Sequence, residues 1–305
     1  VKEDSTDTYG KVNDADIGDK IEFKSTITAQ AGAKKYVFHD KMSSGLTLIP
    51  DPITVSTNNS TVNAENNYKL KTSGLSDGCA FEIEFEQSFC DKLTAGQEII
   101  ITYAATLNAN AVVGTGGNTN TSKVSYGDNA TATPDSTTKT YTWSFDVEKH
   151  AQDENGKVLA NAEFVLLNSD KTEVAVFNNN GLFSSWETTT EQTSTWADNN
   201  KLKTGDDGKF VVKGLDAGTY YLKEIQAPAG YNKLKGPVEV KIEPNKDDTT
   251  HTITLVPVTM KVVNQTGAEM PSTGGIGTTV FYVVGGILVV GAAVLLVTKK
   301  RMERG

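Results

Sequence analysis

The sequence predicts an all-β chain: two Ig-like β-sandwich domains in tandem, followed by a C-terminal transmembrane helix. Three observations predict it. Short runs that alternate apolar and polar residues recur along the chain, separated by Gly, Asn and Asp. Long helical periodicity is absent before the tail. Residues 280–297 form an 18-residue run with no charged or strongly polar side chain, about 27 Å long as a helix. That nearly matches a hydrocarbon core of about 30 Å.

Residues 1–136 make the first domain. Residues 21–27 (Ile-Glu-Phe-Lys-Ser-Thr-Ile) alternate like a half-buried strand, entered through the turn Gly18-Asp19. Residues 36–40, 53–56, 80–86, 99–107 and 123–126 continue the pattern, and 56–67 read as a polar loop. Residues 137–142 read as a polar Ser/Thr linker. The second domain covers residues 143–266 and opens on Trp143-Ser144-Phe145-Asp146-Val147-Glu148-Lys149, where Phe145, Val147 and Lys149 share a face. Residues 178–207 are polar and read as an insertion or elaborated loop. Residues 267–279 bridge to the apolar span (280–298), and 299–305 form a basic tail with Lys299, Lys300, Arg301 and Arg304. Positive charge beside a span keeps that end in the cytoplasm, so the remainder lies outside.

Composition excludes several functions. The chain of 305 residues has a net charge of −9 with dispersed basic residues, which argues against a nucleic-acid partner. His39, His150 and His251 show no metal-ligand spacing, so no metal site and no cofactor is expected. Gly114, Gly116 and Gly117 precede no helix pattern and make no phosphate loop. Cys79 and Cys90 leave two readings open, a disulfide or two small buried thiols; no acid–His arrangement makes either a nucleophile. The first residue is Val1 and no secretory segment is present, which implies a fragment or processed form.

Met270-Pro271-Ser272-Thr273-Gly274, followed by the span and the basic tail, resembles the cell-wall sorting signal of Gram-positive surface proteins, with Met in place of the usual Leu. Pro fixes φ and favours an extended segment that a groove can hold, and Gly allows close backbone approach. The resemblance implies that a sortase cysteine attacks the Thr273 carbonyl and breaks the Thr273–Gly274 bond, leaving the chain anchored to the cell wall.

Two further resemblances cover the domains. Ala15-Asp16-Ile17-Gly18-Asp19-Lys20-Ile21-Glu22-Phe23, Asp40-x-x-Ser43-x-Gly45-Leu46-Thr47 and Asn118-x-Asn120-Thr121-x-x-Val124-x-Tyr126 look like the fimbrial isopeptide-forming domain of Gram-positive pilins. By that resemblance Asp40 is the acid and Asn120 the acceptor of a Lys–Asn cross-link; Lys2 is the expected amine, with Lys11 as the alternative. Lys149-x-x-x-Asp153-Glu154-Asn155-Gly156, Leu159-x-x-Ala162-Glu163-Phe164-x-Leu166, Gly208-Lys209-Phe210-x-Val212-x-Gly214-Leu215 and Tyr220-x-Leu222-x-Glu224-x-x-Ala227-Pro228-x-Gly230-Tyr231 are similar to the SpaA/CnaB-type domain of pilins and adhesins. Here Lys149 is the implied nucleophile, Glu224 the acid/base partner and Asn264 the acceptor. The residue types suit the chemistry. An amide needs a neutral amine, burial lowers a lysine pKa and raises that of a carboxyl, and the carboxyl can pass protons as ammonia leaves.

These resemblances imply a structural subunit of a sortase-assembled pilus on the Gram-positive cell surface. It is a sortase substrate that modifies itself and is not an enzyme. Its implied partners are sortase, neighbouring pilin subunits or peptidoglycan, and the membrane before sorting. The alternative is a wall-anchored adhesin or stalk that binds a host or matrix ligand without polymerising. A pilin motif of the Tyr-Pro-Lys type would discriminate the two; Leu48-Ile49-Pro50-Asp51 is not one.

Overall fold

The computed structural model describes residues 1–267 other than 4–5, 59, 179–180, 191–192, 194 and 248. The sorting signal Met270–Gly274, the apolar span and the basic tail lie outside the described residues. The chain is all-β, and Val1–Gln265 forms one compact unit made of two sandwiches.

The first sandwich is built from β1 (Val12–Asp14), β2 (Lys20–Thr28), β3 (Val37–Met42), β4 (Leu46–Thr57), β5 (Tyr68–Lys71), β6 (Phe81–Phe85), a one-turn helix α1 (Gln87–Cys90), β7 (Glu98–Leu107), β8 (Asn118–Tyr126) and β9 (Ser136–Tyr141). One sheet runs β2–β7–β4 and the other β1–β9–β8–β3–β6–β5. Alternation places the core. Strand β7 buries Ile99, Ile101, Tyr103, Ala105 and Leu107 on one face, β6 buries Phe81, Ile83 and Phe85, and β3 buries Phe38 and Asp40. Strand β4 is longer than residues 53–56. Its extra length includes Pro50 and Pro52, and its register against β7 shifts between Thr102 and Ala104. An irregularity of that kind accommodates prolines, which cannot donate to a ladder.

The second sandwich follows with β10 (Trp143–Ala151), β11 (Glu163–Leu167), β12 (Glu173–Phe177), β13 (Phe183–Thr188), β14 (Lys209–Leu215), β15 (Gly218–Gln226), β16 (Val238–Ile242) and β17 (Val258–Asn264). Its sheets run β14–β10–β17 and β13–β12–β11–β15–β16. Strands β10 and β17, the first and last of the domain, lie side by side and parallel, with Lys149 opposite Val262 and Ala151 opposite Asn264.

Two sequence expectations change. Residues 137–142 are no linker, because β9 pairs antiparallel with β8 and parallel with β1. Its Thr-rich sequence looks like a loop, but β-branched Thr fits a strand, and the buried Thr140 and Tyr141 tie it to the core. Only Thr142 separates β9 from β10. Residues 178–207 contain β13, a short helical turn and a strand at Leu202–Lys203 that pairs with β11, so much of the stretch belongs to the sandwich. Its Trp186 stacks on Tyr220 and donates from Nε1 to Asp16 Oδ2 at 2.7 Å.

That bond belongs to a contact that joins the two sandwiches. Ile17 N donates to Gly214 O (2.9 Å), Asp216 N to Asp16 Oδ1 (2.6 Å), and Trp143 Nε1 to Asp14 Oδ2 (3.1 Å). Gly214 has φ +88°, and a Cβ there would sit 2.7 Å from Ile17 Cδ1, so both backbone and packing require glycine. The hydrophobic core runs through this contact from one sandwich into the other.

Cys79 and Cys90 are both free thiols. The five residues of β6 stand between them, a separation of roughly 17 Å along the strand at about 3.3 Å per residue. Cys79 precedes β6, whereas Cys90 is buried at the end of α1. Of the two readings left open, the disulfide is therefore not the one found, and both cysteines stay reduced.

The contact between sandwiches is acidic. Burial, with the nearby Asp14 charge, pushes the Asp216 carboxyl up to about 8 from an ordinary 3.8, and burial also raises Asp16. A carboxyl whose folded pKa is raised keeps its proton in the folded state after the unfolded chain has released it. Its contribution to stability is therefore complete below about pH 4 and declines as pH rises toward 8. Asp216→Asn should flatten the fall in stability between pH 4 and 8, by up to about 1.4 kcal/mol per pH unit. Urea unfolding across that range checks this, and a slope unchanged by the substitution would refute it.

Candidate cross-linking sites

Among the buried polar residues of the second sandwich, Lys149, Glu224 and Asn264 lie on inward, otherwise apolar strand faces. Lys149 and Asn264 come from adjacent strands of one sheet, and Glu224 comes from β15 of the other, where it continues the buried series Tyr220, Leu222. The two sheets thus press Glu224 onto the Lys149–Asn264 pair across the core. Lys149 and Asn264 are each 0% exposed and Glu224 is 2% exposed.

The contacts are dense. Lys149 Nζ donates to Asn264 Oδ1 at very close range and to Val262 O at 3.2 Å. Glu224 Oε1 lies 3.8 Å from Lys149 Nζ. Asn264 Nδ2 donates to Glu224 Oε1 (3.0 Å), Glu224 Oε2 (3.1 Å) and Asn232 O (2.9 Å). Leu234 N donates to Glu224 Oε2 at 2.8 Å and holds the carboxyl in place. Burial lowers the Lys149 amine to about 8, opposed by the Glu224 charge. The lysine is therefore far closer to its neutral, nucleophilic form at neutral pH than a solvated one. An amine held against a carboxamide whose leaving nitrogen faces a carboxyl is arranged for acyl transfer.

The three residues named from sequence for this site are brought together. Sequence reasoning missed the backbone of Asn232 and Leu234. They lie in the segment after β15, and main-chain contacts leave no side-chain signal.

The first sandwich holds a related but incomplete cluster. Asp40 and Asn120 lie on neighbouring strands of one sheet, and Tyr103 reaches them from the other. Tyr103 OH donates to Asp40 Oδ2 at 2.6 Å, and Asn120 Nδ2 donates to Asp40 Oδ2 and to Tyr103 OH, both at 2.9 Å. Burial pushes Asp40 up to about 7 and raises Tyr103 well above its usual range. Asp40 Oδ1 and Asn120 Oδ1 are buried acceptors with no hydrogen-bond partner. Neither expected lysine supplies one. Lys2 Nζ is engaged at the surface by Asp7 (2.7 Å) and Glu22 (3.2 Å). Lys11 lines the cleft of about 620 Å³ beside Asn120 and Tyr103, but it is exposed and its Nζ donates to Ser136 Oγ at 2.8 Å. Ion pairing with near neighbours holds Lys2 in solvent, where a charged amine is better solvated than in the core. Tyr103 was not anticipated. Its hydroxyl on the otherwise apolar inward face of β7 was the available signal.

Comparison with known proteins agrees with this division. Residues 14–130 match the family model of the Gram-positive pilin backbone subunit 2, Cna-B-like domain. Residues 144–257 match the SpaA prealbumin-like fold domain, and residues 262–304 match the LPXTG cell wall anchor motif. The chain belongs to the Gram-positive pilins. No curated protein matches this pilin significantly. Among solved structures, it is similar to the pilus 2b backbone protein of group B streptococcus (24% identity, TM-score 0.62, covering 85% of this chain and 97% of that one). It is also similar to a C-terminal fragment of the major pilin of Streptococcus agalactiae (22% identity, TM-score 0.62, covering 84% and 96%) and to two domains of the major pilin SpaD of Corynebacterium diphtheriae (19% identity, TM-score 0.52, covering 83% and 96%). At these identities the likeness establishes the fold. In the pilin, the SpaA match ends before β17, so Asn264 falls within the anchor match, on the strand that leads to the sorting signal.

For the sequence as it stands, intact-mass measurement of the folded pilin should show one loss of about 17 Da, the ammonia released when an amine displaces a carboxamide nitrogen. Peptide mapping should place it between Lys149 and Asn264. Glu224→Ala should retain the full mass and be cut faster by trypsin within the second sandwich. A loss that survives in Glu224→Ala would remove Glu224 from the chemistry, and a second loss would restore Lys2 or Lys11 as an amine.

Proposed function

We propose that this pilin is a structural subunit of a sortase-assembled fibre on a Gram-positive surface, strengthened by a self-formed Lys149–Asn264 amide and joined covalently through Thr273. The observation that carries the reading is the buried Lys149–Glu224–Asn264 cluster, which sits where the first and last strands of the second sandwich meet.

The bond-forming step balances within the cluster. Lys149 passes a proton to Glu224, and the neutral amine attacks Asn264 Cγ. Glu224 gives that proton to Nδ2 and takes a second one from the attacking nitrogen, so that ammonia leaves and an amide links Nζ to Cγ. Glu224 then passes the remaining proton to the departing ammonia, which is released as ammonium. Each chain reacts once and no substrate turns over, so this is self-modification and not enzymatic activity. Glu224 is well placed for both transfers, since it faces Lys149 Nζ and both of its oxygens accept from Asn264 Nδ2.

The mechanical consequence follows from topology. Load entering at β10 and leaving through β17 would otherwise shear a parallel ladder of hydrogen bonds. An amide between residues 115 apart in sequence carries that load covalently. By analogy with a disulfide closing a loop of that length, it also removes about 5 kcal/mol of conformational freedom from the unfolded chain. Such a domain resists both pulling and proteolysis, as a fibre subunit must.

Beyond Asn264 the chain soon reaches Met270-Pro271-Ser272-Thr273-Gly274. In the reading proposed here the apolar run and the basic tail hold a membrane-bound precursor until sortase cleaves between Thr273 and Gly274. The Thr273 carbonyl then passes to an amine of a neighbouring subunit or of peptidoglycan. Thr273→Ala, expressed in a sortase-bearing Gram-positive host, should release the pilin from the wall fraction and abolish any detergent-resistant ladder of multimers. Continued wall attachment of the variant would overturn the sortase reading. A wild-type protein found on the wall only as a single-mass species would favour the non-polymerising stalk.

A further inference from the structure

The first sandwich brings four donor groups together that the cross-linking chemistry does not use. His39 on β3 and Glu82 on β6 are cross-strand partners, and Asp77 and Cys79 lie on the turn that leads into β6. One nitrogen, one sulfur and two carboxylate oxygens from these residues lie within 4.8 Å of one another. His39 Nδ1 is 2.8 Å from Glu82 Oε1 and 3.4 Å from Asp77 Oδ2, and Cys79 Sγ donates to Asp77 Oδ2 at 3.0 Å.

We propose that His39, Asp77, Cys79 and Glu82 form a binding site for a tetrahedral divalent transition metal of the Zn²⁺ class. Around such an ion, with bonds of about 2.0–2.3 Å, donors stand roughly 3.3–3.8 Å apart. The contacts of 2.8, 3.0 and 3.4 Å would open by up to about 0.5 Å and the widest pairs, within 4.8 Å, would close, a rearrangement within reach of Asp77 and Cys79 on the turn and Glu82 near the start of β6. The composition selects the ion. A thiolate and an imidazole favour zinc-like metals over Ca²⁺ or Mg²⁺, which take oxygen ligands only.

Three features separate this cluster from an ordinary surface ion pair. His39 Nδ1 is buried and makes no hydrogen bond, although two carboxylates surround it. The other ring nitrogen, Nε2, is held by Ser125 Oγ at 2.9 Å, the kind of outer contact that fixes a ligating imidazole's orientation. Access is open on one side, because the Asp77 side chain is 43% exposed while those of His39 and Glu82 are 17% and 15% exposed. Binding releases the Cys79 thiol proton to solvent as the sulfur takes up the metal. The ion would clamp the turn before β6 onto β3, one residue from Asp40.

Co²⁺, added to the reduced full chain, serves as a spectroscopic stand-in for Zn²⁺. One equivalent should give thiolate-to-cobalt charge-transfer absorption in the near-ultraviolet and visible bands of a four-coordinate ion, both lost on adding Zn²⁺. Cys79→Ser should abolish the charge-transfer band, and His39→Gln and Glu82→Gln should each weaken binding at least tenfold. In a second readout, Zn²⁺ should protect Cys79 from maleimide labelling, as located by peptide mass spectrometry, and raise the Tm of the wild type but not of Cys79→Ser. Absence of the charge-transfer band with the wild type, or an unchanged band in Cys79→Ser, would overturn the proposal. So would labelling of Cys79 that Zn²⁺ does not slow.

Discussion

The parallel pairing of Trp143–Ala151 with Val258–Asn264 is the constraint on which the second sandwich depends. It places Lys149 and Asn264, distant in sequence, two positions apart on the same inward face. It also encloses an amine, a carboxamide and a carboxyl where water cannot solvate them. A buried amine without partners is costly, and this one is tolerated because Val262 O, Asn264 Oδ1 and Glu224 surround it. The same enclosure that depresses the Lys149 pKa gives the amine its reactivity. Formation of an amide would convert an expensive polar cluster into a neutral covalent tie.

The first sandwich repeats the plan with a different balance. Asp40 and Asn120 are buried and hydrogen-bonded through Tyr103, yet each keeps one oxygen without a partner. The geometry is that of a site built to receive a donor, and Lys2 and Lys11 both lie in polar surroundings outside it. One sandwich has assembled its lysine, carboxyl and carboxamide from within residues 143–264, and the other brings together only Asp40, Asn120 and Tyr103 among the described residues.

The two sandwiches are also not beads on a string. Strand β9 ends at Tyr141 and β10 starts at Trp143, and the two rings stack at 5.6 Å. Asp14 and Asp16 then bond to Trp143, Trp186 and the Asp216 amide across the junction. A short connection with a shared core transmits force without a flexible hinge, which suits a chain loaded along its length.

Much of this was legible in the sequence by itself. Strand alternation determined the fold class and the inward faces, because a period of two needs only local sequence. It put Lys149 in line with Phe145 and Val147, Glu224 in line with Tyr220 and Leu222, and Asp40 in line with Phe38, and the resemblance to pilin domains implied Asn264 and Asn120 as their partners. Tertiary structure alone decided which groups meet. Polar Thr-rich residues 137–142 became strand β9 because two neighbouring strands satisfy its backbone. Trp186 left an apparent loop because Asp16 and Tyr220 offered a site for its ring. Cys79 and Cys90 were separated by the length of β6, and Cys79 instead joined His39, Asp77 and Glu82, residues too scattered in sequence to show a ligand spacing. Lys2 and Lys11 were drawn to nearby surface groups. Local patterning reports which way a side chain points, but its partners depend on sheet order and register, which are set by contacts far apart in the chain.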